Sequence, residues 1–214
     1  MAYHIRIVIT ERKMGTKVDV IDRVAETNQR EGHTLTDNRM QEIQAIANRI
    51  LQRNNLRPGF DLAKFLTEHE KFAIGLQRMD PDTTGMLLIN PEHTIANTGS
   101  NRVILVNESL KTDVDFNYKR RFIVAHEYGH AVLHASGKEL YAHRDTSALN
   151  DEVGNHWLEQ EAEYFARCLL IPADNVIELL SIKGLDNDKS AVVSLVFKVT
   201  KKKAVQRLKE LQLG

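Results

Sequence analysis

The segment RFIVAHEYGHAVLH constrains this chain more than any other, because it places His126, Glu127 and His130 in an H-E-x-x-H arrangement inside an apolar helical pattern. Histidines four residues apart lie about 40° apart around a helix and about 6 Å along it, so both imidazoles can reach one tetrahedral ion. Glu127 projects about 100° round from His126, close enough to address a water at that ion without taking a ligand position. The fold must therefore present one face of this helix to a cavity and bring a further ligand to it, since an open zinc site keeps three protein ligands.

That further ligand has few sources. A third histidine ten residues after the first is excluded because position 136 is Ser136, and the single cysteine, Cys168, rules out a cysteine-rich site. The segment Trp157 to Leu170 has Leu158, Ala162, Phe165, Ala166 and Leu169 at helical spacing before Pro172, and it carries Glu159, Glu161 and Glu163. Glu159 and Glu163 share a helical face, whereas Glu161 points about 200° from Glu159. Glu159 is assigned as the third ligand and Glu163 as a hydrogen-bond partner behind a ligand histidine, with Glu161 as the residual candidate.

Several other residues bear on the site. His134 reads as a partner for carbonyls at the helix end, ahead of a role behind a ligand histidine or against substrate. Tyr141, His143 and His156, in the polar stretch between the two helices, are candidates for an auxiliary donor. Gly129 costs about 1 kcal/mol in a helix relative to alanine, which points to close approach by a neighbouring backbone. Cys168 reads as a small buried residue.

The remaining pattern frames this pair of helices. The stretch FAIGL, DPDTTG, MLLIN and RVILV predicts an antiparallel three-stranded sheet with DPDTTG as a turn. The RVILV strand is expected to line the cleft and pair with an extended substrate. Met40, Ile43, Ile46, Ala47, Ile50 and Leu51 predict a helix after Thr36, and Asp61 is placed to cap a second one. The class is α+β, zincin-like, with the active-site helix packed on a small antiparallel sheet and accompanied by further helices. Residues 1–35, with a strand on Ile5, Ile7 and Ile9 and a short helix near Val18 to Ala25, form an extension of unassigned role. Residues 36–175 form the catalytic domain, and residues 176–214 a C-terminal helical segment.

Composition narrows the setting. With 29 basic and 29 acidic residues the formal charge is zero, so no global attraction to nucleic acid or anionic membrane exists. No window approaches eighteen apolar residues, and the N-terminus lacks a signal-peptide core, which points to a cytoplasmic protein with no membrane partner. Nothing sets an oligomeric state. The C-terminal Lys201, Lys202, Lys203, Arg207 and Lys209, after a break near Val199 and Thr200, look somewhat like the second half of a helix-turn-helix, but such a charged face reads as solvated rather than DNA-binding.

The two signatures RRFIVAHEYGHAVLH and EQEAEYFARCLLIP resemble those of the ImmA/IrrE-type metallopeptidases, over a span from about Thr36 to the C-terminus. The resemblance implies Zn²⁺ as cofactor, His126, His130 and Glu159 as its ligands, and Glu127 as catalytic base. Glu163 departs from the asparagine usual at its position. No extra sensor domain is recognisable, so the chain resembles the short, phage- or mobile-element-associated members, which implies cleavage of a helix-turn-helix transcriptional repressor. Two other functions share many of these residues: a zinc-containing regulatory module that binds a partner without hydrolysis, and a DNA-contacting regulator acting through the C-terminal helices. A purely structural metal site has no use for Glu127, which favours the enzyme.

Overall fold

In the computed structural model of the chain, the described residues are 35–90, 92–95, 97–135, 141–146, 153–182 and 188–214, with only the backbone described for 141–146 and 153–155. The N-terminal strand and short helix expected before residue 35 lie outside them. Among the described residues seven α-helices and four strands follow in the order α1 (Asp37–Arg53), α2 (Leu62–Glu68), β1 (Ala73–Gln77), β2 (Thr83–Ile89), β3 (Arg102–Asn107), α3 (Phe116–Leu133), β4 (Tyr141–Thr146), α4 (Val153–Leu170), α5 (Ala173–Leu180), α6 (Lys189–Phe197) and α7 (Lys201–Glu210). The class is α+β, as expected.

The helix starts follow local chemistry. The Thr36 hydroxyl accepts from the Arg39 N–H at 3.3 Å, and Asp61 accepts from Lys64 N at 3.0 Å, each satisfying an amide that the first turn leaves open. Asp188 and Thr200 do the same for α6 and α7, and Lys198, at φ 55°, turns the chain between them. That break lies where the sequence places it.

The sheet differs from expectation in two respects. Its order is β1-β3-β2-β4, and β1 runs parallel to β3, while β3/β2 and β2/β4 are antiparallel. The sheet is mixed and four-stranded. RVILV is an unbroken apolar run, the pattern of a strand covered on both faces, and β3 accordingly takes a central place. Ile104 and Val106 join the main core under the helices, whereas Val103 and Leu105 pack with Met86 on the opposite face. With β1 on one side and β2 on the other, β3 has no free edge, so it cannot pair with an extended substrate.

The second difference is at Gly85. Thr83, Thr84 and Gly85 belong to β2 and not to the preceding turn. The buried Asn107 side chain holds this entry, its Nδ2 donating to Asp80 O at 3.0 Å and to Thr83 O at 2.7 Å. Next to it the register of β2 against β4 shifts between Thr83 and Gly85, an irregularity that re-aims the strand where it passes α3.

The main core is continuous from Ile43 of α1 to Leu208 of α7. Tyr128 of α3 sits at its centre, edge-on to Phe65, Phe72 and Phe165 with ring centroids 5.8 to 6.2 Å apart. Such rings bury large apolar areas and prefer edge-to-face contact, worth about 0.5–1.5 kcal/mol per pair beyond burial. Tyr128 thereby fixes the rotation of α3 and turns His126 and His130 toward α4. No helix among the described residues is long and apolar enough to cross a membrane.

Candidate metal centre

The two long helices α3 and α4 build the site by packing against each other. Gly129 faces Ala162, whose Cα would lie 3.1 Å from a Cβ at position 129. Only a glycine allows that approach, as its helical position in the sequence implies.

Across this contact the side chains converge. His126 Nε2 lies 3.1 Å from His130 Nε2 and 3.0 Å from Glu159 Oε2, and His130 Nε2 lies 3.5 Å from Glu159 Oε1. Zn–N and Zn–O bonds of about 2.0–2.1 Å in a tetrahedron separate ligand atoms by roughly 3.3 Å, so the spacing fits one small ion. These three residues form a group that could hold a metal, with His126 and His130 buried. Two imidazoles and one carboxylate are the donor set zinc accepts with a position left open.

Glu127 is completely buried one residue along α3. It lies against β2 rather than in the ligand cluster, and a Cβ on Gly85 would come within 2.6 Å of Glu127 Oε1. Gly85 is thus the residue that makes room for the carboxylate. The sequence contained its signal, a glycine within an otherwise apolar strand, which marks a close approach by another group.

Behind the ligand histidines lie further side chains, Glu163 near His126 and His134 against His130. Glu163 Oε2 lies 4.0 Å from His126 Nδ1, longer than a hydrogen bond. Its Oε1 accepts from Arg167 at 2.7 Å and from Lys203 of α7. Burial opposes ionisation of Glu163, but Lys203 and Arg167 outweigh it and hold the carboxyl below the ordinary range. Lys203 also lies over the Phe122 ring, 4.1 Å from its centroid, so α7 reaches the edge of the site.

His134 departs from expectation. Its side chain does not serve helix-end carbonyls; Nδ1 lies 3.0 Å from His130 Nδ1 and Nε2 lies 3.1 Å from Glu161 Oε2. Glu161, turned away from the ligand cluster as its helical angle requires, meets His134 and Arg39 of α1 instead. Burial pushes the Glu161 carboxyl up, yet the bonds from His134 and Arg39 prevail and bring it down to about 2. Arg39 is 122 residues from its partner, and no local sequence signal could have found it.

A cleft of about 690 Å³ opens on the cluster, lined by His126, Glu159 and Glu163 with Thr84, Phe122, Ile123 and the first turn of α7. His156 lines it too and is exposed, its Nε2 2.6 Å from Gln160 Nε2. Tyr141 and His143 lie on β4, opposite Ile89 and Leu87 in backbone register; their side chains are outside the described residues. Cys168 is buried, and burial pushes its thiol up, away from reactivity.

The C-terminal cations divide into two groups: Lys203 and the buried Arg207 are engaged within the protein, while Lys201, Lys202 and Lys209 are exposed. Lys201 pairs with Asp188 at 2.7 Å, Lys203 with Glu163, and the buried Arg207 donates to Ile171 O at 3.1 Å and Glu210 at 3.1 Å.

A peptidase-family model described as the IrrE N-terminal-like domain matches residues 67–209, which take in both signature helices and most of α7. None of the curated proteins matches the chain. Among solved structures the chain is similar to a Mycobacterium tuberculosis transcriptional regulator, at 16% identity and a TM-score of 0.48, covering 78% of this chain and 46% of that one. The chain thus spans less than half the length of that regulator.

Proposed function

The chain belongs to the peptidase family of the IrrE N-terminal-like domain, and on that premise we propose that it is a zinc-dependent endopeptidase with Glu127 as general base. The observation that carries this reading is the convergence of His126, His130 and Glu159 at ligand spacing beside a fully buried glutamate that is not itself in the cluster. Zn²⁺ held there supplies Lewis-acid polarisation of a carbonyl and lowers the pKa of water toward about 7.

The chain's own groups do the rest. Glu127, confined between α3 and Gly85, takes the proton of the attacking water and returns it to the leaving nitrogen, so the peptide bond breaks with atoms and protons balanced. Phe122 and Ile123 wall the cleft and exclude water from around the scissile bond. His156 is the auxiliary donor we favour, because its ring is in the cleft. Among the described residues β4 pairs with β2 alone, and its outer edge suits an extended substrate better than β3 does. For the substrate we carry forward the class implied by the sequence signatures, a helix-turn-helix transcriptional repressor in the cytoplasm.

The test is Glu127→Gln, which keeps shape but loses the base. Incubation with a candidate repressor, followed by intact mass over time, should show cleavage by the zinc-loaded wild type and none by the variant, with zinc content equal in both. Cleavage at the wild-type rate by the variant would remove Glu127 from the mechanism.

A further inference from the structure

Behind His130 runs a line of polar side chains that ends on another helix. His130 Nδ1 lies 3.0 Å from His134 Nδ1, His134 Nε2 lies 3.1 Å from Glu161 Oε2, and the two Glu161 oxygens accept from Arg39 Nε at 2.9 Å and Nη2 at 2.6 Å. His130 and His134 are almost completely enclosed, with side-chain exposures of 0% and 4%. Water therefore has little room to substitute for the contact between the two rings.

Donor and acceptor chemistry gives the line a direction. A guanidinium only donates and a carboxylate only accepts, so the proton between Glu161 and His134 resides on His134 Nε2. A neutral imidazole with its proton there has a bare Nδ1, which can only accept. The proton between the two rings is then on His130 Nδ1, and His130 Nε2 is left with a lone pair toward His126 and Glu159. With His134 neutral, every bond in the line is satisfied in this one arrangement.

We propose that Arg39, Glu161 and His134 are positioning residues that select the metal-binding tautomer of His130 and hold its ring in place. The proposal rests on the metal-site reading above. It also gives α1 a part in the site, although Arg39 lies before the span that the family model matches. A plain Arg39–Glu161 clamp between α1 and α4 would need no histidine at 134. The interposed ring is what the positioning role adds.

The experiment measures zinc affinity of the full chain by competition with a chromophoric chelator at fixed pH, alongside the melting temperature of the metal-free protein. Loss of such a partner behind a ligand histidine weakens metal binding by about 10–100-fold, which is the loss expected for His134→Leu and Glu161→Leu. The charge swap Arg39→Glu with Glu161→Arg discriminates the two roles. It should restore the melting temperature while zinc binding stays weak by about tenfold or more, because a guanidinium cannot accept from His134 Nε2. Glu161→Gln keeps an acceptor and should bind zinc more tightly than the swap. That pair carries the comparison if the leucine variants do not fold.

Leucine variants that bind zinc as the wild type does, or a swap that restores affinity together with stability, would overturn the proposal and leave only a structural clamp. A wild type that takes up no zinc would instead sink the metal-site reading and this inference with it.

Discussion

The backbones of α3 and α4 meet where Gly129 faces Ala162, with 3.1 Å from a Cβ on the one to the Cα of the other. The ligand histidines lie on one side of that contact and Glu159 on the other, so the separation of the two helices sets the separation of the ligands. A methyl group at 129 would also come within 3.0 Å of Phe165 Cδ1 and 3.2 Å of the Ala162 carbonyl oxygen.

Gly129→Ala therefore sets two effects against each other. Helix propensity favours alanine by about 1 kcal/mol, while overpacking a buried contact costs about 1–3 kcal/mol. Two of the three close atoms are backbone and the third belongs to the buried Phe165 ring, so little can move away and the cost should prevail. Urea unfolding of the metal-free variant is expected to show a net loss, and chelator competition a weaker zinc site. A stabilised variant with unchanged zinc affinity would mean that α4 yields without disturbing Glu159.

Gly85→Ala should act on Glu127 instead. The new Cβ would fall 2.6 Å from Glu127 Oε1 and 2.7 Å from Ile123 Cγ2, and both are side-chain atoms that can move. Stability and zinc content should change little. Activity should fall by about a hundredfold, because a shift near 1 Å in a reacting group can cost that much. Steady-state cleavage compared with metal content measures the split.

Glu159→Ala removes one of the three converging ligand atoms and leaves Glu161 and Glu163 in their ion pairs. Zinc bound per chain, read by elemental analysis after gel filtration, should drop. Retention of one zinc per chain would transfer the ligand role to Glu163, the nearer of the two to His126.

Acid should expose the contribution of Glu161. Its folded carboxyl titrates at about 2 against an ordinary 4.5, a lowered value, so the stability it contributes is present above the unfolded value and is lost as pH falls through that window. In metal-free protein the stability gap between wild type and Glu161→Gln should therefore narrow as pH drops from about 5 toward 2. Denaturant curves across that range give the gap; a constant difference would contradict the assigned ionisation.

The helices and the spacing of chemistry along them follow from the order of residues alone. A helix advances about 100° per residue, so His126, Glu127 and His130, and likewise Glu159, Glu161 and Glu163, have relative directions that need no partner to define. The caps at Thr36 and Asp61 are equally local, because each is set by an amide three residues away. Tertiary structure alone decided what those directions meet. Strand order depends on pairing between distant segments, which put β3 at the centre and β1 parallel to it, against the expectation of neighbours pairing in sequence. His134 found Glu161, and Glu161 found Arg39 from 122 residues away, because buried donors and acceptors must be satisfied by whatever the packing of α1, α3 and α4 brings within reach.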